Sequence, residues 1–275
     1  MFRIIDSDVS IGACPFCGSA ESFQYKTAKG LMFLCHDCQR NVPTSSLPEK
    51  KLEVTHSLVS FNSLLKLCTK LTDLGPDRYA VHYAKSRHIP RKHWDKLYFT
   101  ERFQEIAKTV GKEVGNGPRL VIPFFDKEGN MFAMQGRALD DDKIRYITLV
   151  FDKQQELLYG TDRVDLEKPF VVVEGPIDSL FLENAIATAG VGNVSDKYLP
   201  NATICLDNEP RNKDIVRIAK KNLERGFKVV IWSDGNHFKD INDMVLNGVD
   251  VVSEISGHTF QGMQGLLKLN SWKKV

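Results

Sequence analysis

FVVVEGPIDSLFLENA, residues 170–185, is the stretch whose reading decides the fold. Phe170 to Val173 make an unbroken apolar, mostly β-branched run of the kind buried in a parallel sheet, and it ends on Glu174, Gly175 and Pro176. Ile177, Leu180, Phe181 and Ala185 then recur at helical spacing with Pro176 just inside the start, so strand, tight turn and helix are expected in that order. Glu174 therefore sits at the carboxyl end of a strand, where open α/β sheets bind their ligands. Taken alone it has a second reading, as an acid beside the positive end of the next helix.

The chain beyond it repeats the pattern. TICL (203–206) reads as a second strand, NKDIVRIAKKNLERG as a helix with Ile215, Ile218, Ala219 and Leu223 on one face and Gly226 at its end, and KVVIW (228–232) as a third strand. Regular alternation of this kind implies a parallel sheet with right-handed crossovers. Each strand leads into acids: Glu174, then Asp207 with Glu209, then Asp240 with Asp243 beside Lys239. So many carboxylates at one sheet edge repel unless a cation lies among them, and hard oxygen donors suit magnesium, or manganese in its place. The bland alternative, independent solubilising turn acids, is weak for three successive strands.

The 275 residues carry 37 Lys and Arg against 35 Asp and Glu, a net charge of +2 that excludes neither nucleic acid nor protein partners. No apolar run approaches the length needed to cross a bilayer and the first residues lack a targeting pattern, so a cytoplasmic protein with no membrane partner is expected. Cys14, Cys17, Cys35 and Cys38 form CPFCG and CHDC, the two-knuckle spacing of a structural zinc ribbon; a redox dithiol is the alternative. Phe23, Tyr25, Leu31 and Phe33 alternate around Lys29-Gly30, which predicts a hairpin between the knuckles. His36 reads as a solvated neighbour of the ligands, and Cys68 and Cys205 as small core residues.

Residues 46–63 have the Pro, Ser and charge content of a linker. Arg78, Lys85, Arg87, Arg91 and Lys92 follow with no acid between Asp77 and Asp95, interleaved with Tyr79, Tyr83 and Trp94. Cations neutralise phosphates and aromatics stack unpaired bases, so a nucleic-acid surface competes here with a solvated helix face. RLVIPFFDKEGNMFAMQGRAL (119–139) predicts two strands joined at Gly129-Asn130, with Pro123 suggesting an edge or a bulge. Arg137 and Arg145 near strand ends are placed to hold a triphosphate, although surface ion pairs are the commoner fate of single arginines. The apolar patch Leu266, Leu267 and Leu269 near the end is expected to pack on the sheet.

EGPIDSL, LDNE and KDIND together resemble the Toprim signature, and with CPFCG/CHDC, QGRAL and RYIT the chain resembles the DNA primases, most closely those of T-even-type bacteriophages. The resemblance implies an α/β fold in which a Toprim-type parallel sheet flanked by helices follows a mixed α+β subdomain and a zinc ribbon. The domains would be ribbon 1–45, linker 46–63, basic subdomain 64–167, Toprim subdomain 168–255 and tail 256–275. It implies a DNA-directed RNA polymerase making short primers on single-stranded DNA from ribonucleoside triphosphates by two-metal-assisted nucleotidyl transfer, with a replicative helicase as partner. Glu174, Asp207 and Glu209 match the catalytic acids, and these with Asp240 and Asp243 match magnesium ligands. Arg137, Arg145 and Lys239 match nucleotide contacts, while Arg78, Lys85, Arg87, Arg91 and Lys92 would guide template. Asp178 matches the motif and is expected to brace the turn. The rival readings are a non-catalytic zinc and Toprim DNA-binding protein of recombination-mediator type and a Toprim nuclease.

Overall fold

The computed structural model describes residues 10–11, 14, 16–17, 22–27, 30–35, 38–43, 46, 61–190 and 194–275. The chain divides into two compact units, Met1–Val59 and Ser60–Val275. Most of the expected linker (47–60) and His36 lie outside the described residues.

In the first unit, β1 (Ser10–Ile11), β2 (Ser22–Thr27), β3 (Gly30–Cys35) and β4 (Asn41–Pro43) form an antiparallel sheet in that order. β2 and β3 pair from Ser22 with Cys35 to Thr27 with Gly30, which is the hairpin predicted between the knuckles. Phe33 is buried beside Cys14 and Cys35, so the apolar centre of this small unit is built around the cysteines themselves.

The second unit contains two sheets. β5 (Thr69–Lys70), β6 (Tyr98–Thr100), β7 (Arg119–Phe125), β8 (Met131–Ala138) and β9 (Tyr146–Val150) are antiparallel neighbours in sequence order, with α1 (Tyr79–Ser86) and α2 (Phe103–Lys108) inserted between strands. The β7–β8 turn follows from its sequence: the Asn130 amide donates to Asp126 Oδ1 at 2.7 Å, and Gly129 takes a φ of +81° that a side chain would resist. Pro123 does not mark an edge strand, because β7 is interior. β6 is only three residues long and pairs no further than Val121, so Pro123 lies beyond it and its missing N–H faces no partner on that side.

The other sheet runs β11-β10-β12-β13-β14. β10 (Phe170–Val173), β11 (Ala185–Ala187), β12 (Ala202–Cys205) and β13 (Lys228–Val230) are parallel, and β14 (Thr259–Phe260) adds an antiparallel edge. The helix expected across Ile177–Ala185 is a single turn, α3 (Pro176–Ser179). Ala185 instead opens the edge strand β11, where the Ala185–Ala187 backbone pairs with Val171–Val173. Apolar spacing here records burial of Ile177, Leu180 and Leu182 under the sheet rather than a continuing helix.

α4 (Lys213–Glu224) is capped by Asn212, which accepts from the Asp214 amide at 3.0 Å, and buries Ile215, Ala219 and Leu223. α5 (Ile241–Leu246), α6 (Val251–Gly257) and α7 (Gly262–Trp272) complete the unit. α7 packs against α4 with Gly265 against Leu223; Leu269 and Trp272 are buried, Leu266 is packed on the core, and Leu267 faces outward at 67% exposure. The predicted packing of the tail therefore holds for two of its three leucines.

Candidate active site

Strand order brings the acids together. β10 and β12 are hydrogen-bonded neighbours, so Glu174 and Asp207 leave adjacent strand ends, and Glu174 Oε1 accepts the Asp207 amide at 2.9 Å. Asp178 enters from the single turn of α3 and Asp240 from the start of α5, and these four carboxylate residues line one small cavity of about 10 Å³ with Trp232. The cavity is at the threshold for one water-sized occupant. Burial pushes Asp207 up to about 8, with Glu174, Asp178 and Asp240 adding repulsion. Burial and then Asp240 raise Asp178 to about 7, and burial also raises Glu174.

Asp178 does brace the structure, since its Oδ1 accepts the Asn242 amide at 3.0 Å and so ties α3 to α5. It also stands among the site acids, which its helix position in the sequence did not reveal. Asp240 caps α5 by accepting the Asp243 amide at 2.8 Å. Asp243 turns away to Arg87, 3.7 Å from Nη1. Glu209 is joined to Asp207 by Lys239, whose Nζ lies 3.2 Å from Glu209 Oε1 and 3.7 Å from Asp207 Oδ2. A cleft of about 620 Å³ opens beside Glu209, with Arg211, His237 and Lys274 on its walls.

The basic residues divide. Arg87 is held by Asp243 and by Asn242, whose Oδ1 accepts from Nη1 at 3.2 Å. Arg137 on β8 lies between two rings, 5.4 Å from Tyr83 and 5.1 Å from Tyr146, and its buried Nε has no hydrogen-bond partner. No carboxylate pairs with it among the described residues. Arg145 is exposed at the start of β9. Arg78, Lys85, Arg91 and Lys92 are exposed and likewise lack an ion-pair partner among the described residues. Trp94, read as a candidate stacking ring, is instead buried, its Nε1 donating to the Ile89 carbonyl at 3.0 Å.

Two further groups escaped the sequence reading. Arg119 is fully buried, donating to the Gly136 and Ile144 carbonyls and pairing with Asp142, so it ties the loop before β9 to the sheet. Asn242 is buried and donates to the Arg87 carbonyl at 2.7 Å. Only its place between two acids in KDINDM could have drawn attention to it.

In the first unit the four cysteine ligand atoms all lie within 4.8 Å of one another. The Sγ atoms of Cys14 and Cys38, and of Cys17 and Cys35, are 3.7 Å apart. Zn–S bonds of about 2.3 Å in a tetrahedron put sulfurs about 3.8 Å apart, whereas a disulfide needs about 2.05 Å, so the set fits a structural metal ion and not a dithiol couple. The Cys38 backbone beside it pulls the Cys35 thiol down to about 7, toward the thiolate that a metal requires.

No family model matches the chain. The DNA primase of Enterobacteria phage T4 is 32% identical over 242 residues, covering 83% of this chain and 67% of that protein. The chain belongs to the DNA primase family. Among solved structures, the DnaG primase catalytic domain bound to ssDNA matches with a TM-score of 0.57 at 16% identity, covering 77% of this primase and 80% of that chain. The Aquifex aeolicus primase, with its zinc-binding and RNA polymerase domains, matches with a TM-score of 0.54 at 18% identity, covering 93% and 80%. These likenesses show a shared fold. Among the described residues of this primase, no helix is long and apolar enough to cross a membrane.

Proposed function

We propose that this primase makes short RNA primers on a single-stranded DNA template, with Glu174 as the central acid and magnesium held by Glu174, Asp207, Glu209 and Asp240, joined by Asp243. The observation that carries the reading is the convergence of carboxylates from adjacent strand ends onto one cavity, where burial and mutual repulsion raise Asp207 and Asp178. Oxygen donors that repel one another in this way fit a hard divalent cation. Bound there, magnesium would stabilise the attacking and leaving oxygens of an in-line phosphoryl displacement.

The chain's own groups do the rest. Glu174 is fixed by the Asp207 amide, so its free oxygen keeps one direction. Arg137, with no acid of its own, supplies a cation for the triphosphate, and Arg145 and Lys239 add charge from either side. Arg78, Lys85, Arg87, Arg91 and Lys92 draw in the phosphates of the template. The ribbon (1–45) holds zinc and takes part in choosing the start site, the segment 64–167 carries the template, and residues 168–255 carry the chemistry, followed by the tail 256–275. A replicative helicase is the partner that the family resemblance implies.

The test is incubation of the whole chain with magnesium, labelled ribonucleotides and single-stranded DNA. Short oligoribonucleotides are expected, and Glu174→Gln should abolish them while leaving the melting temperature in place. Undiminished product in that variant refutes the assignment. DNA binding with no incorporation would favour the recombination-mediator type, and shortening of the template would favour a nuclease.

A further inference from the structure

The basic segment is not one surface. Tyr83 and Arg87, four residues apart on and just beyond α1, turn toward Arg137, Asn242 and Asp243. Val81 and Lys85 are also four apart but two residues out of phase with that pair, which at about 100° per residue puts them on the opposite side of the helix. There they meet the 3₁₀ turn Arg91–Lys96 and the Leu71–Leu74 segment around a second cavity of about 350 Å³. Its floor is apolar, made by Leu71, Leu74, Val81 and Trp94, and Lys85 and Arg91 stand at its rim. The Trp94 ring is fixed by its bond to the Ile89 carbonyl, and the Arg91 guanidinium lies 5.0 Å from it.

No carboxylate lines this cavity, and neither rim cation has an ion-pair partner among the described residues. An apolar, aromatic floor under two unneutralised cations complements a nucleobase carrying its phosphates. The volume lies at the lower end of the range for small-ligand sites, enough for one nucleotide. A base reaches such a pocket only when unstacked, as in a single strand and not in a duplex.

We propose that this cavity is a template subsite, in which one unpaired base of single-stranded DNA is turned away from the acid cluster and its flanking phosphates are held by Lys85 and Arg91. The proposal rests on the primase reading for the presence of a template strand. It adds that the strand is gripped on the face of α1 opposite the chemistry, so α1 lies between the anchored base and the reacting one.

The experiment measures anisotropy of a labelled single-stranded oligodeoxynucleotide against the full chain, the Lys85→Glu/Arg91→Glu variant and Thr72→Trp, which narrows the mouth of the cavity. All three substituted side chains are exposed, so circular dichroism and melting temperature should match the native chain. Charge reversal is expected to weaken binding at least about tenfold and to flatten the salt dependence by about 1.4, at about 0.7 per phosphate contact. An oligonucleotide whose bases are all replaced by abasic sites should lose more affinity for the native chain than for Thr72→Trp, by at least about fivefold for one base leaving its platform. Equal loss in both proteins overturns the base pocket. Unchanged affinity on charge reversal also overturns it, and would point to an acidic peptide as occupant. Ribonucleotide incorporation by the native chain is read separately, so failure of the primase reading is distinguishable from failure of the subsite.

Discussion

Asp178→Asn is expected to stabilise this protein in a chelator, the reverse of the usual result for a core polar substitution. The carboxylate is half-buried among Glu174, Asp207 and Asp240, and burial followed by Asp240 raises it from 3.8 to about 7. A carboxyl whose folded value lies above its unfolded one destabilises the fold once pH exceeds the unfolded value, because folding must then either protonate it or bury its charge. At pH 8 that difference corresponds to about 4 kcal/mol at about 1.36 kcal/mol for each tenfold change in proton affinity, and residual solvent contact makes this a ceiling. Asparagine keeps the acceptor that Asn242 needs at 3.0 Å, so little is lost in exchange. Urea titration at pH 8 in EDTA should show a gain of about 2 to 4 kcal/mol, shrinking as pH falls through 7 and gone near pH 4, where aspartate is protonated in both states. Saturating magnesium should also shrink the gain by neutralising the native cluster. No gain at pH 8, or one that persists at pH 4, refutes the account of a buried, mutually repelling cluster.

Removing zinc with a strong chelator should impair initiation on a natural template more than extension from a supplied primer, read as the ratio of the two products; equal loss argues against a start-site role for the ribbon. Asp142→Ala strands the fully buried Arg119 without its counter-ion and should cost about 3 kcal/mol or more by urea denaturation, with much of the loss recovered when Arg119→Met is added. A double variant no more stable than Asp142→Ala would mean that the pair contributes little. Gly265→Ala forces a Cβ into the Leu223 side chain where α7 crosses α4 and should cost about 1 to 3 kcal/mol, whereas Gly257→Ala, with open space around it, should cost far less.

What could be read from the sequence was what is encoded by short-range spacing. The cysteine pairs fix a chelate locally, and the acids follow apolar runs that are strands whatever surrounds them, so Cys14 to Cys38 and Glu174, Asp207 and Asp240 were found before any fold was known. β11 was missed because Ala-Ile-Ala is only three residues long and carries little strand propensity of its own; it is a strand because Val171–Val173 offers it a ladder. Arg87 was assigned to template because no acid stands near it in sequence, yet its partners Asn242 and Asp243 lie on α5, with Asn242 155 residues away. Counting charge along 78–92 likewise gave one basic stretch, whereas helical phase splits it into a side that meets the acid cluster and a side that lines an apolar cavity. Direction, not composition, separates those two sides. A change in helical phase, such as one residue inserted within α1, should therefore exchange their roles without altering the charge of the segment, and a reading of composition alone would predict no effect.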